Sequence, residues 1–292
     1  MKNESEELGM RRIDDFSDKE NGCFWHFTGI DALLPILRDG LRLTHSTCLS
    51  DRRDGELRNR FQVLCSKLME INCDVCSDVK SKSFARNDFS KILGCDSFTP
   101  AFIACFSECE DFRAMWEEYC FNGGIAIGFD KKYIVDLIER SNKGCEYYLR
   151  RCSYDLWEDW SAKVDNYMQS MTNNSTYVKS EEDLNEFNAF WISRIQEAGE
   201  NALFAKRKRF KFEHEVRLAR IIRSNGVWEE KPSINFECAN GKLFLNKVLG
   251  GLYRGVKEIL ISPFGDVQKN LGKALVIARM FGIDQEMVKV DK

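Results

Sequence analysis

Residues 212–222 read FEHEVRLARII, with charged side chains at every second position from Glu213 to Arg217. A period of two is typical of a β-strand with two different faces. On such a strand Glu213, Glu215 and Arg217 share one face, at steps of about 7 Å. Adjacent carboxylates repel each other and need a nearby cation or substrate hydroxyl, and Arg217 can supply the cation. The alternative is a solvated edge strand carrying a surface charge pair, which stabilises a protein little.

Further strands are predicted on both sides of this one. The run AFIACFS at 101–107 is apolar until its end, as in a buried strand that ends at a cleft. Aromatic and β-branched residues predict other strands at 23–28, 41–43, 125–129, 147–154 and 258–262.

Helices of unequal length separate the strands. Apolar residues at steps of three and four predict a covering helix within 55–93. Thr28 and Asp31 are candidate caps for a short helix that Gly40 would end. Other helices are predicted at 112–119, at 267–281 and twice within 155–206, where the polar residues 172–175 form the loop between them. Such an irregular alternation favours an α+β domain over a regular βαβ series.

The chain of 292 residues is predicted to form one domain. Residues 1–22 are polar and form a flexible N-terminal segment in this interpretation. Residues 23–292 form a single α+β domain with helical insertions at about 55–94 and 155–206.

Composition excludes several classes of function. The net charge of −3 argues against a chain that holds nucleic acid by bulk positive charge, although the basic strip 206–209 is either a solvated helix end or a phosphate contact. No run of eighteen apolar residues occurs and the N-terminus is charged, so we expect a cytoplasmic protein without membrane contact. The twelve scattered cysteines are expected to be reduced, and the lone pair Cys73 and Cys76 lacks the partners of a metal site.

Two other short stretches place polar side chains at the ends of apolar elements. His26 lies in the sequence WHFT at 25–28, where a histidine is more often a core or edge residue than a catalytic one. Ser107 and Glu108 end the apolar run at 101–107 and could meet a ligand. Trp116 and Tyr119 follow and form either the wall of such a site or part of the core, and helical spacing favours a packing role for the tryptophan.

The order of these motifs resembles the bacterial family called domain of unknown function 2971. The motifs are HFT, CFSE, MWEEY, GIAIGFD, FEHEVRL and EILISP, and the likeness spans roughly residues 23–265. The sequence departs from the family pattern at 49–56, where LSDRRDGE replaces an Asn-Asp-Pro-x-Glu stretch. Any role for Asp51, Asp54 or Glu56 is therefore left open.

A more distant resemblance suggests a function. Residues 25–41, WHFTGIDALLPILRDGL, are similar to the opening of DNA-modifying ADP-ribosyltransferase toxins and tRNA 2′-phosphotransferases. This resemblance implies split antiparallel sheets around a cleft, with covering helices. It also implies an NAD site in which His26 contacts the ribose and a later strand glutamate completes the chemistry.

Residue by residue, the resemblance implies catalytic roles for Glu215, Glu213 and His26. Glu215 would serve the ribose and Glu213 would prepare the acceptor, but the choice between the two stays open. The residues that complete the implied NAD site are His26, Phe27, Thr28, Ser107 and Arg217.

Three functions follow as expectations. The first is an NAD-dependent ADP-ribosyltransferase acting on a protein or nucleic-acid acceptor, as a toxin or anti-phage defence effector. The second is a module that binds NAD, ADP-ribose or another nucleotide without turnover. The third is a nucleic-acid-binding domain in which residues 206–209 and Arg217 contact phosphates.

Overall fold

Long apolar strands form the centre of the structure. The computed structural model describes residues 12–16, 22–48, 63–64, 66–68, 70, 101–109, 111–141, 146–221 and 235–291. Asp51, Asp54, Glu56 and the Cys73 and Cys76 pair lie outside these residues. So does most of the helix predicted over 55–93, although Leu64 and Leu68 are helical and buried.

The chain alternates between strands and helices, as expected for an α+β protein. The strands are β1 (Cys23–Thr28), β2 (Leu41–His45), β3 (Ala101–Ser107), β4 (Ile125–Asp130), β5 (Glu146–Arg151), β6 (Glu215–Ile221), β7 (Asn235–Ala239), β8 (Lys242–Val248), β9 (Val256–Ile261) and β10 (Val288–Val290). The helices are α1 (Leu33–Asp39), α2 (Arg113–Tyr119), α3 (Lys131–Ser141), α4 (Leu156–Ser175), α5 (Glu181–Ala202) and α6 (Val267–Met280).

The strands form one mixed sheet that forks at β3. Along one edge β3 pairs with β6 over its whole length, and β6 in turn pairs with β5. Along its other edge β3 meets β1 at Ser107 and β2 at Phe102 and Ile103. From there β1 leads to β4, β9 and β10, and β2 leads to β8 and β7. Among the strand pairs of the described residues, β9 and β10 alone run parallel, so the sheet is mixed.

The two faces of the central strands pack against different layers. Phe102, Phe106, Val216 and Leu218 belong to the main core, which α1, α3 and α6 cover. The other face of β3, β5 and β6 packs against residues that follow α5, including Leu203 and Phe204. This second face also carries Glu215 and Arg217 of β6.

Local details correct several sequence predictions. The first helix begins as a 3-10 turn at Ile30–Ala32, and neither this turn nor α1 has a side-chain cap, so the predicted capping by Thr28 and Asp31 is wrong. Gly40 does end α1, with a φ of 100°. Helices α4 and α5 are separated at residues 176–180, because the helix continues through the predicted loop at 172–175.

Part of the segment predicted to be flexible pairs with the sheet. Ile13 forms a parallel bridge with Leu149 on β5, and the Asp14 amide donates to the Leu149 carbonyl over 3.0 Å. Phe16 is 7% exposed and packs edge-on against Phe24 at 5.0 Å. Residues 12–16 therefore cover the outer edge of β5.

No helix among the described residues is both long and apolar enough to cross a bilayer. The seven cysteines in the same residues carry free thiols.

We predict that Gly128→Ala destabilises the protein because the Trp25 ring lies against Gly128. An added Cβ would come within 2.8 Å of that ring, and overpacking of this kind costs about 1–3 kcal/mol. Gly29→Ala is the matched control, since nothing lies within 4 Å of its Cβ position and its φ of −72° suits alanine. Urea unfolding of both variants measures the difference, and equal stabilities would contradict the prediction.

Candidate functional site

The two glutamates of the FEHEVRL stretch lie on different elements. Glu213 ends a 3-10 helix over Lys208–Glu213, and Glu215 begins β6. His214 separates them in the left-handed region at a φ of 42°. The prediction that one strand carries both glutamates is therefore wrong. The left-handed residue turns the chain so that both carboxylates nevertheless converge.

Lys206 joins the two carboxylates. Its ammonium donates to Glu213 Oε2 and to Glu215 Oε2. Arg217 donates from Nε to Glu215 Oε1 over 2.6 Å and from a terminal nitrogen to the Leu203 carbonyl over 2.7 Å. All four charged residues are at most 4% exposed. We call Lys206, Glu213, Glu215 and Arg217 the charge cluster. Two acids and two bases balance, as burial of charge requires.

The two carboxyl groups have opposite pKa shifts. Burial raises the pKa of Glu213 to about 7, an effect that Lys206 opposes and the Glu215 charge reinforces. Burial alone would also raise the pKa of Glu215, but Arg217 and Lys206 hold it far below its ordinary value. Glu215 is therefore a permanent anion, while Glu213 changes its protonation near neutral pH.

Tyr119 connects the cluster with the surface. At the end of α2 its hydroxyl donates to Glu213 Oε1 over 2.6 Å. The tyrosine is 45% exposed, whereas Glu213 is 4% exposed. Burial and the neighbouring carboxylate raise the pKa of Tyr119 well above its usual range, so the phenol keeps its proton. The sequence left Tyr119 open as part of a site wall or of the core, and Tyr119 was not among the predicted site residues.

Ser107 supports the turn that carries Glu213. Its hydroxyl donates to the Glu213 carbonyl over 2.6 Å and accepts from the Cys109 amide over 2.9 Å. The residue is 1% exposed. Its neighbour Glu108 is held by Lys131 and Arg151, which lower its pKa against the effect of burial. Both of these polar residues at the end of β3 therefore have partners within the protein.

His26 lies at the fork of the sheet. Its Nδ1 is 2.9 Å from the Cys105 carbonyl on β3, between the points where β1 and β2 pair with that strand. Burial lowers the pKa of His26, which favours the neutral ring with its proton on Nδ1. The imidazole packs against Phe106 at 5.9 Å. Cys105 and Phe106 are consecutive residues of β3, so their side chains lie on opposite faces of the sheet. His26 contacts Phe106 and lies on its face, whereas the charge cluster lies on the face of Cys105.

On β1, the aromatic residues on the cluster side are Trp25 and Phe27. Trp25 pairs with Ser107, which pairs with Glu215, so these three residues share one face of the sheet. Phe27 packs edge-on against Trp116 at 5.0 Å. Phe112 contacts both Trp25 and Phe27. Thr28 follows on the opposite face and pairs with Ile125 on β4.

Sequence reasoning missed the role of Lys206 as well as that of Tyr119. The sequence analysis assigned Lys206 to a basic strip. The feature that could have indicated its role is its position, after the end of a long helix and seven residues before Glu213. Its backbone is fixed by Ser153, whose carbonyl accepts from the Lys206 amide over 2.9 Å. Lys206 and Arg217 are buried and form ion pairs with carboxylates, so neither is placed to make the predicted phosphate contacts.

The described residues contain no group of three or more histidine, cysteine or acidic side chains placed to hold a metal ion.

The fold and the cluster define an α+β protein with a buried, charge-balanced acid pair beside an aromatic face. The model of the family described as Protein of unknown function (DUF2971) matches residues 115–218, just over a third of the chain. This match confirms the resemblance to the domain of unknown function 2971 family over a shorter range than the motifs suggest. It includes Tyr119 and all four residues of the charge cluster, but not His26 or Ser107. No curated protein and no solved structure matches the chain significantly.

We predict that Glu213→Gln changes the pH dependence of stability. An acid whose folded pKa is raised binds more protons in the native state than when unfolded, so its contribution is complete below the unfolded pKa and is lost as pH rises to about 7. The variant lacks this loss and gains stability relative to the wild type between about pH 5 and pH 8.

Urea unfolding at both pH values measures the gain. Glu117→Gln, which changes an exposed glutamate on α2, is the control. A Glu213→Gln variant whose stability difference from the wild type does not vary with pH would contradict the prediction.

Proposed function

We propose that this chain is an NAD-dependent ADP-ribosyltransferase that uses Glu213 and Glu215 as its acid pair. The observation that carries the proposal is the unequal environment of these two carboxyl groups. Neighbouring carboxyl groups with pKa values pushed apart are characteristic of sites that need one permanent anion and one proton-transfer group.

The chemistry assigns a different task to each glutamate. Breaking the bond between nicotinamide and ribose builds positive charge on the sugar, which a fixed anion stabilises electrostatically. Glu215 suits that task because it stays ionised. The incoming acceptor must lose a proton, and a group with a pKa of about 7 is well matched to receive it. Glu213 suits that second task, in agreement with the roles that the distant resemblance implies.

The surroundings of the cluster support a flat, partly cationic substrate. Trp25 and Phe27 are half-buried aromatic residues on the same face of the sheet as Glu215. Aromatic rings attract cations and stack with planar rings, and the nicotinamide ring of NAD is both planar and positively charged. The forked sheet also supports the split-sheet arrangement that the resemblance implies, with β1 and β2 diverging from one edge of β3.

In this proposal His26 is a positioning residue. Its hydrogen bond to the Cys105 carbonyl ties β1 to β3 at the fork, and this fixes Trp25 relative to the acid pair. Lys206 holds one oxygen of each carboxylate in the resting protein. Substrate that engages Glu215 therefore has to displace the ammonium from that oxygen.

The acceptor and the cellular role rest on the resemblance alone. A protein or nucleic-acid acceptor, a toxin or defence role and a cytoplasmic location form one consistent proposal. The free thiols of the described cysteines support the reducing compartment.

We predict that the purified protein releases nicotinamide from NAD and that Glu213→Gln lowers kcat by about 10²-fold or more, the usual contribution of a general base. Glu117→Gln is expected to leave kcat unchanged because that glutamate lies on the exposed side of α2. Nicotinamide release, and transfer of label from NAD to a cell lysate, measure the two steps separately.

The same assay distinguishes the alternatives. Wild-type protein that shows an NAD-dependent rise in Tm but releases no nicotinamide is a binding module, since a ligand bound only to the native state stabilises it by mass action. Protein that shows neither a shift nor release contradicts both readings. A Glu213→Gln variant with full activity would refute the assignment of the base.

A further inference from the structure

We infer that Tyr119 relays the proton of the acceptor to Glu213, and that the acceptor binds at the exposed side of Tyr119. This inference rests on the proposed function, because it names the route by which the buried base reaches its substrate. The observations that carry it are one hydrogen bond and a contrast in exposure.

The two oxygens of Glu213 point to different partners. Oε2 accepts from Lys206, inside the charge cluster. Oε1 accepts from the Tyr119 hydroxyl over 2.6 Å. Since Glu213 is 4% exposed and Tyr119 is 45% exposed, a substrate outside the cluster meets the tyrosine before it meets the carboxylate.

The position of Tyr119 is fixed by its helix. The α2 helix buries Met115 and Trp116. Trp116 packs against Ala126 and Leu260 of the sheet, and its indole donates to Asp291 Oδ2 over 2.6 Å. The helix ends at the next residue, Cys120, whose amide donates a hydrogen bond to the Trp116 carbonyl over 2.9 Å. The buried Trp116 therefore anchors the helix three residues before Tyr119, and the Tyr119 phenol reaches Glu213 from the surface.

The proton step balances as a concerted transfer. The acceptor X–H attacks the anomeric carbon, and the bond from that carbon to nicotinamide breaks with its electron pair going to the nicotinamide nitrogen. The proton of X passes to the Tyr119 oxygen as the Tyr119 proton passes to Glu213 Oε1. The products are neutral nicotinamide, ADP-ribosyl-X and a protonated Glu213, which then returns the proton to solvent.

One cation, one anion and one neutral phenol surround the Glu213 carboxyl group. Glu213 faces the ammonium of Lys206, the carboxylate of Glu215 and the phenol of Tyr119. Tyr119 does not ionise in the neutral range, so it accepts a proton only as it gives its own away. Water can serve as the simplest X–H, which makes hydrolysis of NAD a direct probe of the step.

The test compares Tyr119→Phe with the matched control Tyr177→Phe, whose ring is 76% exposed beyond the end of α4. We expect Tyr119→Phe to lower kcat for NAD hydrolysis by about 10²-fold with little change in KM. It also removes a hydrogen bond that favours the ionised form of Glu213. The rise of activity with pH therefore moves to higher pH, and NMR titration of the Glu213 carboxyl shows the same shift.

Each outcome separates the relay from the proposed function. Wild-type protein that releases no nicotinamide overturns both. Wild-type activity that Glu213→Gln abolishes and Tyr119→Phe leaves intact, with an unchanged pH profile, overturns the relay and keeps the enzyme. A loss of kcat in Tyr119→Phe without the shift in the Glu213 titration assigns the tyrosine a structural role and also refutes the relay.

Discussion

The ammonium of Lys206 between the carboxylates of Glu213 and Glu215 is the contact on which the rest of the site depends. Two ionised carboxylates this close to each other repel, and a cation between them offsets that repulsion inside a protein. Hydrogen bonds to the backbone fix the segments that carry Lys206 and Glu213. Ser153 fixes the strand-like segment before Lys206, and Ser107 fixes the turn that ends in Glu213. The left-handed residue His214 then brings Glu215 into line.

This arrangement also explains why the acids differ. Glu215 has two cations as neighbours, because Arg217 shares its face of β6. Among the described contacts of its carboxylate, Glu213 has one cation, Lys206, which it shares with Glu215, and one neutral phenol. Glu213 and Glu215 are similarly inaccessible to solvent, but Glu215 has more positive charge beside it. This difference separates their pKa values. The separation would vanish if both glutamates lay on one regular strand with the same neighbours.

Much of the fold was accessible from the sequence, because strand signals are local. Apolar runs and aromatic residues placed β1, β3, β4 and β9 within a residue or two. The alternation at 212–222 located β6 but hid the 3-10 turn before it, because Glu213 and Glu215 fit a period of two in either geometry. The fork at β3 had no local signal, since it depends on which distant strands meet one edge.

The candidate site was predictable in its acids and not in its partners. Charged residues at alternate positions drew attention to Glu213, Glu215 and Arg217. Lys206 and Tyr119 come from helices and turns whose approach to β6 is decided by packing. The resemblance implied that His26 and the acids share one NAD site, which depends on side-chain direction across three strands. The register places Trp25 there, one residue earlier.

The short stretch at 12–16 has a consequence for how the molecule meets others. Without it, β5 would present a row of free amides and carbonyls, the feature that lets sheets of separate molecules join and aggregate. Ile13 and Asp14 occupy that row, and the Arg151 guanidinium stacks over the Phe16 ring at 4.5 Å. The chain thus shields its own sheet from association along this side, using residues whose composition gives little sign of order.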